Sequence, residues 1–367
     1  MKITIKRTED QLALVRAMGS NNREEAYEAQ AAVAELLGPV VTEVINNAVT
    51  VGNLFTTLTY QADDNPSLPL DLFHDITDED YVQVYSQQVA GGLPYNQVFP
   101  AHNELKFSTY TLDSALAFDR KYAKKARVDV VSKTFTRMAQ EIMLKQERTA
   151  FNVLATALVG GNSLTATAGD HITAAAGTSL VLDDLNKLIT LSKRVNSSFV
   201  GGTPVGGSKS GVTDLLVSPE VVEDIRAMAY NPINTNTGPV AGTGTDGIAA
   251  PAELRSQLYS AAGLPSFYGI NIIEVLEMGK GQRFNKIFDA VKGGVSFTQA
   301  SEQILIGVDR SRDALLRPVV LDEGSTGELS VLVDDQFSVR QNKIGYYGKV
   351  EEGRVCIDDR ALCGIIL

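Results

Sequence analysis

Cysteine, histidine and tryptophan are scarce in this chain of 367 residues, which has two cysteines, three histidines and no tryptophan. Cys356 and Cys363 are too few for a disulfide framework, and no other cysteine or histidine stands near them at zinc-ligand spacing. We expect both to be small buried hydrophobes. His74, His102 and His171 are isolated in the sequence, so neither a metal site nor a catalytic role is predicted for them.

Long apolar runs are also missing. The opening segment, MKITIKRTEDQLALVR, lacks the apolar core of a signal peptide. No stretch of about 20 apolar residues occurs, which is the length that a membrane-spanning helix needs. We therefore expect a protein that is not secreted by a signal peptide and does not span a membrane.

The chain also lacks an excess of basic residues. It has 33 Lys and Arg and 44 Asp and Glu, which gives a net charge of −11. Folded proteins that grip nucleic acid usually carry basic residues in excess, since neutralised phosphates supply much of the affinity. The composition therefore argues against that class. With 44% hydrophobic residues, the chain is also too apolar to be disordered and should bury a core.

The glycine-rich segments do not meet the requirements of a nucleotide site. Gly242, Gly244 and Gly247 form a G-x-G-x-x-G pattern in GTGTDG, but a loop-like segment precedes it where the dinucleotide fold needs a strand. In GGTPVGGSKSG, Ser208 stands before Lys209 where a P-loop has glycine. Clusters such as Asp78–Asp80 are typical of solvated surface. The sequence therefore predicts no enzyme activity, no metal and no cofactor.

The first third of the chain is predicted to be helical and then extended. Residues 8–37 are rich in Ala, Glu, Gln and Leu, with a helix-weak GSNN inside 19–23. This pattern indicates two helical pieces joined by a flexible point, or an arm that orders only on a partner. Residues 39–60, rich in Val, Thr and Ile, are the first strand candidate.

Two β-rich runs flank GGLPYNQVFP within residues 81–118, which predicts a long hairpin with a tip of turn-forming residues. An isolated two-stranded ribbon is marginal in water, so this one needs a surface to lie on. Either it pairs within the sheet of its own domain or it lies on a partner. From Lys124 to about residue 158, apolar residues at spacings of three and four predict a long helix.

The middle of the chain alternates helix and strand, and the end is mostly strands. A helix is predicted from near Asp183, and TDLLVSPEVVEDIRAMA indicates a buried strand followed by a helix that Ser218 caps. Residues 231–251 are loop-like, SFYGINIIEVLEM is a strand candidate, and strands dominate from Gln303 onward. The fold class is therefore α+β, with chain ends that can share one domain.

Charge is distributed unevenly between the hairpin and the long helix. Residues 66–118 hold seven acidic residues against the single Lys106, a balance of −6, whereas residues 120–148 hold nine basic residues against three acidic ones, a balance of +6. Such complementarity can set the register between two surfaces. It can equally be charge balance inside one molecule.

This order of elements resembles the major capsid proteins of tailed bacteriophages, which have the Hong Kong 97 type fold. The strings most similar to that family are LVLDDLNKLI, TDLLVSPEVVEDIRAMA, FYGINIIE and FSVRQNKIGYYGKVEEGRVCIDDRAL. The resemblance implies five parts in chain order. They are an N-terminal arm with a first strand (1–55), an extended E-loop hairpin (66–118), a peripheral domain with a spine helix (119–179), an axial domain (180–302) and the C-terminal strands of the peripheral domain (303–367).

The resemblance also implies which residues meet between subunits, because the E-loop of one subunit lies across the peripheral domain of its neighbour. The expected contact residues at the E-loop tip are Gly91, Gly92, Leu93, Pro94 and Tyr95. The expected contact residues on the basic face of the spine helix are Lys121, Lys124, Lys125, Arg127, Lys133 and Arg137. Some relatives link Lys to Asn covalently, but nothing in the sequence indicates that Lys106 meets Asn342.

The function implied is a structural one: self-assembly into hexamers and pentamers of an icosahedral head that encloses double-stranded DNA without reading its sequence. Because the ribbon comes early, a separate scaffolding protein, or none, is expected, with a portal and in some cases a decoration protein as further partners. The implied location is the virion, and the host cytoplasm during assembly. Two alternatives stay open, an encapsulin-like shell around an enzyme and a cytosolic enzyme that binds a nucleotide at GTGTDG.

Overall fold

The computed structural model describes residues 8–48, 50–61, 64, 67–69, 104–162, 164, 167–175, 177–195, 211–230, 266–267, 269–321, 328–334 and 341–367. Its contacts divide the chain into two compact units. Unit 1 comprises Met1–Pro66, Lys106–Ala150 and Leu316–Val355, and unit 2 comprises Ser67–Leu105, Phe151–Leu315 and Cys356–Leu367. No helix within the described ranges is long and apolar enough to cross a lipid bilayer.

Unit 1 opens with two helices, α1 (Glu9–Ala17) and α2 (Arg23–Ala48). The break between them confirms the interruption expected at residues 19–23. The strand expected from residue 39 is wrong for its first ten residues, since α2 continues to Ala48 and the strand β1 is Thr56–Gln61.

The helix prevails over the strand preference of its β-branched residues because of their spacing. Val33, Val41 and Ile45 fall on one face of α2 and are buried in the same apolar core. Burial of such a face contributes more to the fold than local propensity does.

The remaining elements of unit 1 are two helices and a six-stranded sheet. The short helix α3 is Arg120–Lys124, and the long helix α4, Val128–Gly160, contributes its first 23 residues to this unit. The sheet has the order β1-β10-β12-β11, and β4 pairs with β12 while β13 pairs with β10. These strands are β4 (Tyr110–Asp119), β10 (Leu315–Leu321), β11 (Ser330–Asp334), β12 (Lys343–Glu352) and β13 (Val355–Cys356).

The core of unit 1 lies between α4 and one face of this sheet. Phe135 and Met138 of α4 pack in the same cluster as Tyr346 of β12, and the rings of Phe135 and Tyr346 are 4.9 Å apart. Burial raises the pKa of the Tyr346 phenol, whose O–H lies 3.9 Å from the Met18 sulfur. On the opposite face, β4 presents exposed residues and β12 presents mostly partly buried ones, so the sheet is covered more completely on the α4 side.

Unit 2 is built around a second six-stranded sheet, of order β5-β14-β9-β6-β8-β7. Every residue of β6 and β9 is buried. The helices α5 and α6 pack apolar residues into the core that these strands form, and Phe151 of α4 stacks on Phe284 at 4.2 Å. The elements are β5 (Ile172–Ala174), α5 (Leu182–Val195), β6 (Asp214–Val217), α6 (Pro219–Tyr230), β7 (Ser266–Phe267), β8 (Ile270–Glu274), α7 (Arg283–Val291), β9 (Ile304–Val308) and β14 (Leu362–Ile366).

Most elements expected in this part of the chain are confirmed. The helix α5 starts at Leu182, next to the expected Asp183, and the Ser218 hydroxyl accepts a hydrogen bond from the Val221 N–H at 3.3 Å, as an N-cap does. Four of the strands expected after Gln303 are β9 to β12.

The boundaries of the two units in the C-terminal region differ from the expected domain boundaries. Residues 303–367 were expected to lie in one peripheral domain, but β9 and β14 belong to unit 2, where β9 pairs with β6 and β14 pairs with β9. Residues 151–179, expected with the spine helix in the peripheral domain, also fall in unit 2. The assignment of the units to peripheral and axial domains stays a prediction.

Candidate functional site

The basic residues expected on the spine helix are distributed over α3, α4 and the turn between them. The helix α4 begins at Val128 rather than Lys124, because Ala126 takes a left-handed conformation with φ of 48° and ends α3. The Ala126 N–H bonds the Ala123 carbonyl at 2.8 Å and the Arg127 N–H bonds the Tyr122 carbonyl at 2.9 Å. A spine-helix face holding all six cations is therefore wrong.

All six predicted cations are nevertheless exposed and follow one another along this part of the chain. We call them the basic surface. It consists of Lys121 and Lys124 on α3, Lys125 and Arg127 in the turn, and Lys133 and Arg137 one helical turn apart on α4.

Two lysines of the basic surface already have partners in their own chain. Lys121 pairs with Asp119 at 2.9 Å, and this bond lowers the pKa of the Asp119 carboxyl and raises the pKa of the Lys121 ammonium. The Lys124 ammonium donates to the Asn21 side-chain carbonyl at 2.9 Å, and the Arg120 guanidinium donates to the Gly19 carbonyl at 3.3 Å. These bonds fix α3 against the turn between α1 and α2.

The other four cations, Lys125, Arg127, Lys133 and Arg137, form no ion pair with any residue that the structure describes. The solvent stripe of α4 beyond them has mixed charge, since Glu141 and Lys145 follow Arg137. The exposed cations are therefore most concentrated on α3 and the first turns of α4. Such a surface favours an acidic partner.

The acidic ribbon is described only at its base. Ser67–Pro69 (β2) and Glu104–Lys106 (β3) form a two-stranded sheet, as a hairpin requires. The tip residues Gly91, Gly92, Leu93, Pro94 and Tyr95 lie outside the described residues, as do five of the seven acids in the segment.

The last part of the predicted ribbon belongs to the sheet of unit 1. The strand β4 pairs with β12 over ten residues, from Tyr110 opposite Glu352 to Asp119 opposite Lys343. Asp113 on this strand accepts a hydrogen bond from the Tyr347 hydroxyl at 3.2 Å. Residues 110–118 therefore pair within the sheet of their own domain, which is one of the two alternatives given for the hairpin. Only the segment before them can form a free ribbon.

A buried charge network in unit 1 was not expected from the sequence. The carboxylate of Glu352, which has no exposed surface, accepts hydrogen bonds from the Arg317 Nε at 2.7 Å, the Gln146 amide at 3.1 Å and the Tyr110 hydroxyl at 3.1 Å. Arg354 lies 3.5 Å from the same carboxylate and 5.0 Å above the Phe55 ring. Burial, together with the negative charge of Glu352, raises the pKa of Tyr110 to about 12. Arg317, Gln146 and Tyr110 all donate to Glu352 within the unit, so the network serves the fold, and Nε and Nη1 of Arg354 stay without a hydrogen bond among the described residues.

Groups with catalytic potential do not converge in the described part of the chain. No three His, Cys, Asp or Glu side chains come together there in a way that could hold a metal ion. His171 is buried beside Asp170, and burial raises the pKa of both the Cys356 and Cys363 thiols to about 12, which opposes nucleophilic use. His74, His102, GTGTDG and the P-loop-like segment before Gly211 lie outside the described residues.

Comparison with known proteins gives the family. A model of the phage capsid protein family matches residues 104–295, slightly more than half of the chain. No match was found among curated protein sequences.

Solved structures show the fold. The asymmetric unit of the bacteriophage PhiM1 mature capsid is similar with a TM-score of 0.50 and 9% identity, covering 86% of each chain. A structure from Microbacterium phage Oxtober96 has a TM-score of 0.49 and 12% identity, covering 86% of this chain and 90% of that one. The holo-SrpI encapsulin complex of Synechococcus elongatus PCC 7942 has a TM-score of 0.44 and 11% identity, covering 87% and 88%. This chain therefore belongs to the phage capsid protein family and has the Hong Kong 97 type α+β capsid fold, as a structural major capsid protein of a self-assembling virion shell.

Proposed function

We propose that the chain assembles into the hexamers and pentamers of an icosahedral tailed-phage head that encloses double-stranded DNA. The observation that carries this proposal is the capsid family match, from residue 104 to residue 295, on a chain whose fold is that of a mature phage capsid subunit. The net charge of −11 fits a container that must release its DNA rather than grip it.

The contact proposed between neighbouring subunits joins the acidic ribbon of one to the basic surface of the next. Four cations of that surface lack an ion-pair partner among the described residues, and five acids stand at residues 71–80 within the ribbon segment. Opposite charges on two surfaces speed their encounter and fix the register between them. Ribbon and basic surface then hold subunit to subunit, with the tip residues 91–95 seated on the neighbour.

The remaining partners proposed are a separate scaffolding protein, a portal and in some phages a decoration protein. Assembly would take place in the host cytoplasm. The chain itself would act by shape and surface, without catalysis, since the described residues hold no constellation that could carry a reaction.

Electron microscopy and light scattering of the purified protein test the proposal. We expect capsomers or closed shells. A protein that stays monomeric across concentration and salt would overturn the assignment, and shells that contain an enzyme instead of DNA would make it a nanocompartment of the encapsulin kind.

Removal of the ribbon tip tests the proposed contact. Deletion of residues 90–95 should leave the circular dichroism spectrum and the unfolding transition unchanged while it abolishes shells, because no described strand of either six-stranded sheet includes these residues. A shell yield equal to that of the wild type would contradict the role of the ribbon.

A further inference from the structure

The exposed face of α2 carries apolar and acidic residues side by side. Leu36 is 53% exposed and Val40 is 40% exposed, and both lie one helical turn apart. Ala32 continues the same stripe one turn earlier. A stripe of this kind on a helix whose other face is already in the core is typical of a second contact surface.

Acidic residues frame this stripe, and the carboxylates of four of them form no ion pair or hydrogen bond with any described residue. They are Glu24, Glu28, Glu35 and Glu43. We call the stripe and these four acids the α2 surface. Its complement must be apolar at the centre and basic around it.

Unit 2 presents an exposed apolar residue that three cations follow in the chain, with Glu277 as its direct acidic neighbour. Leu276, in the turn between β8 and α7, is 77% exposed, the highest value among the large apolar residues of the described chain. Lys280, Arg283 and Lys286 follow it, are exposed, and form no ion pair with a described residue. We call these four residues the Leu276 patch.

The turn that carries Leu276 is fixed by its own bonds. The Val275 N–H bonds the Val217 carbonyl at 2.9 Å, and the Phe284 N–H bonds the Glu277 carbonyl at 3.0 Å. Val275 and Met278 are buried on either side of Leu276. Because the turn is already ordered, Leu276 can enter a contact with little further loss of entropy.

We propose that the Leu276 patch of one subunit docks on the α2 surface of a second copy of this chain. This inference rests on the proposed function, because it names one contact of the shell. Leu276 would pack against Leu36 and Val40, and Lys280, Arg283 and Lys286 would face the four glutamates. The two patches differ, so the contact is heterologous and each subunit uses both, which closes a ring of subunits when the rotation between neighbours closes.

Cysteine pairing tests the contact directly. Leu36→Cys protein mixed with Leu276→Cys protein should give a disulfide-linked dimer on oxidation, and neither variant should do so alone. The native thiols, Cys356 and Cys363, should stay silent because burial raises their pKa to about 12. Leu164→Cys, at another leucine that is 40% exposed, replaces Leu36→Cys in the control mixture and should give no dimer.

Charge reversal gives a second measurement that does not depend on oxidation. Glu35→Lys with Glu43→Lys should lower shell yield about tenfold or more at low salt, because like charges then face each other. Lys280→Glu with Arg283→Glu should do the same, and all four changes in one chain should restore assembly.

Glu223→Lys on α6, also exposed and without a described partner, is the matched control and should leave the yield within about twofold. Wild-type shells without the mixed disulfide, and with charge reversals that change nothing, would overturn the contact while the capsid function stands. A wild-type protein that forms no shell under any condition would overturn the function, and this contact with it.

Discussion

Glu352 lies at the centre of a buried charge network in the interior of unit 1. Its carboxylate is fully buried and accepts hydrogen bonds from three side chains, and the buried Arg317 and Arg354 both lie against it. A buried ion pair adds little net stability compared with an apolar core, but loss of one partner leaves an uncompensated charge. The network therefore makes Glu352 hard to replace.

We expect Glu352→Gln to lower the free energy of unfolding by about 3–5 kcal/mol, measured by urea denaturation. The matched control is Glu351→Gln at the neighbouring residue, which is 3.7 Å from Lys349 and partly exposed. That change should cost less than about 1 kcal/mol, because solvent screens the pair. Equal effects from the two variants would contradict the role given to the network.

The Cys363 thiol, which is completely buried, predicts a loss of stability at alkaline pH. Burial raises its pKa from 9.0 to about 12, so the folded protein holds the proton that the unfolded chain releases above pH 9. The stability that this group contributes is fully present below pH 9 and is lost as pH rises toward 12, by about 1.4 kcal/mol per pH unit. Unfolding free energies measured at pH 8, 9 and 10 should show this fall.

Cys363→Ala should unfold with a smaller pH slope than the wild type, although its stability at pH 8 is lower because a small cavity forms. In the folded wild type, a thiol reagent at pH 8 should modify Cys363 only as fast as the protein opens. An unchanged slope in the variant, or rapid modification of the folded protein, would count against the buried neutral thiol.

Helices and strands with a single strong local signal were predictable from the sequence. The Ser218 cap, the amphipathic α5 and the strands β9 to β12 all follow from local pattern. The long helix was also expected, but not its start, because no glycine or asparagine in the sequence marks the left-handed turn at Ala126.

Pairings between distant segments were not predictable, since nothing local marks them. The strand β14 joins β9 and β5, and the Glu352 network draws on Tyr110, Gln146 and Arg317 from three separate elements. The same limit explains why the sequence predicts a strand from residue 39, where α2 continues to Ala48. Its valines and isoleucine favour a strand until the core that buries them is known.

The residue after the end of α4 packs closely against the segment that follows it. A methyl group on Gly161 would lie 2.6 Å from Cγ and 2.8 Å from Cε1 of the buried His171 ring, whereas Gly160 has no atom within 4 Å of such a group. Gly161→Ala should therefore cost about 2 kcal/mol or more in thermal unfolding.

Gly160→Ala, one residue earlier and within the helix, is the control. This change should be neutral or stabilising by up to about 1 kcal/mol, because alanine restricts the unfolded chain. A Gly161→Ala protein as stable as the control would show that the His171 ring is free to move aside.

At the scale of the whole molecule, the net charge of −11 conceals surfaces of opposite sign. The basic surface on α3 and α4 and the Leu276 patch are positive, whereas the α2 surface and the ribbon segment are negative. Two attractive contacts between copies follow. The ribbon segment of one copy attracts the basic surface of another, and the Leu276 patch of one copy attracts the α2 surface of another. A chain with one uniform sign would instead repel its copies at low salt.

Assembly should therefore weaken as salt rises from about 0.05 M to about 0.5 M, because screening shortens the reach of these charges to a few ångströms. Lys125→Glu with Arg127→Glu should lower shell yield at low salt by about tenfold and flatten the salt dependence, since neither side chain has an ion-pair partner among the described residues. Lys145→Glu, on α4 outside the basic surface, should behave like the wild type. Light scattering across the salt series, with electron microscopy of each sample, measures the salt dependence of assembly and the shell yield of each variant. If the yield of the double variant matched the control at every salt concentration, the basic surface would have no part in holding subunits together.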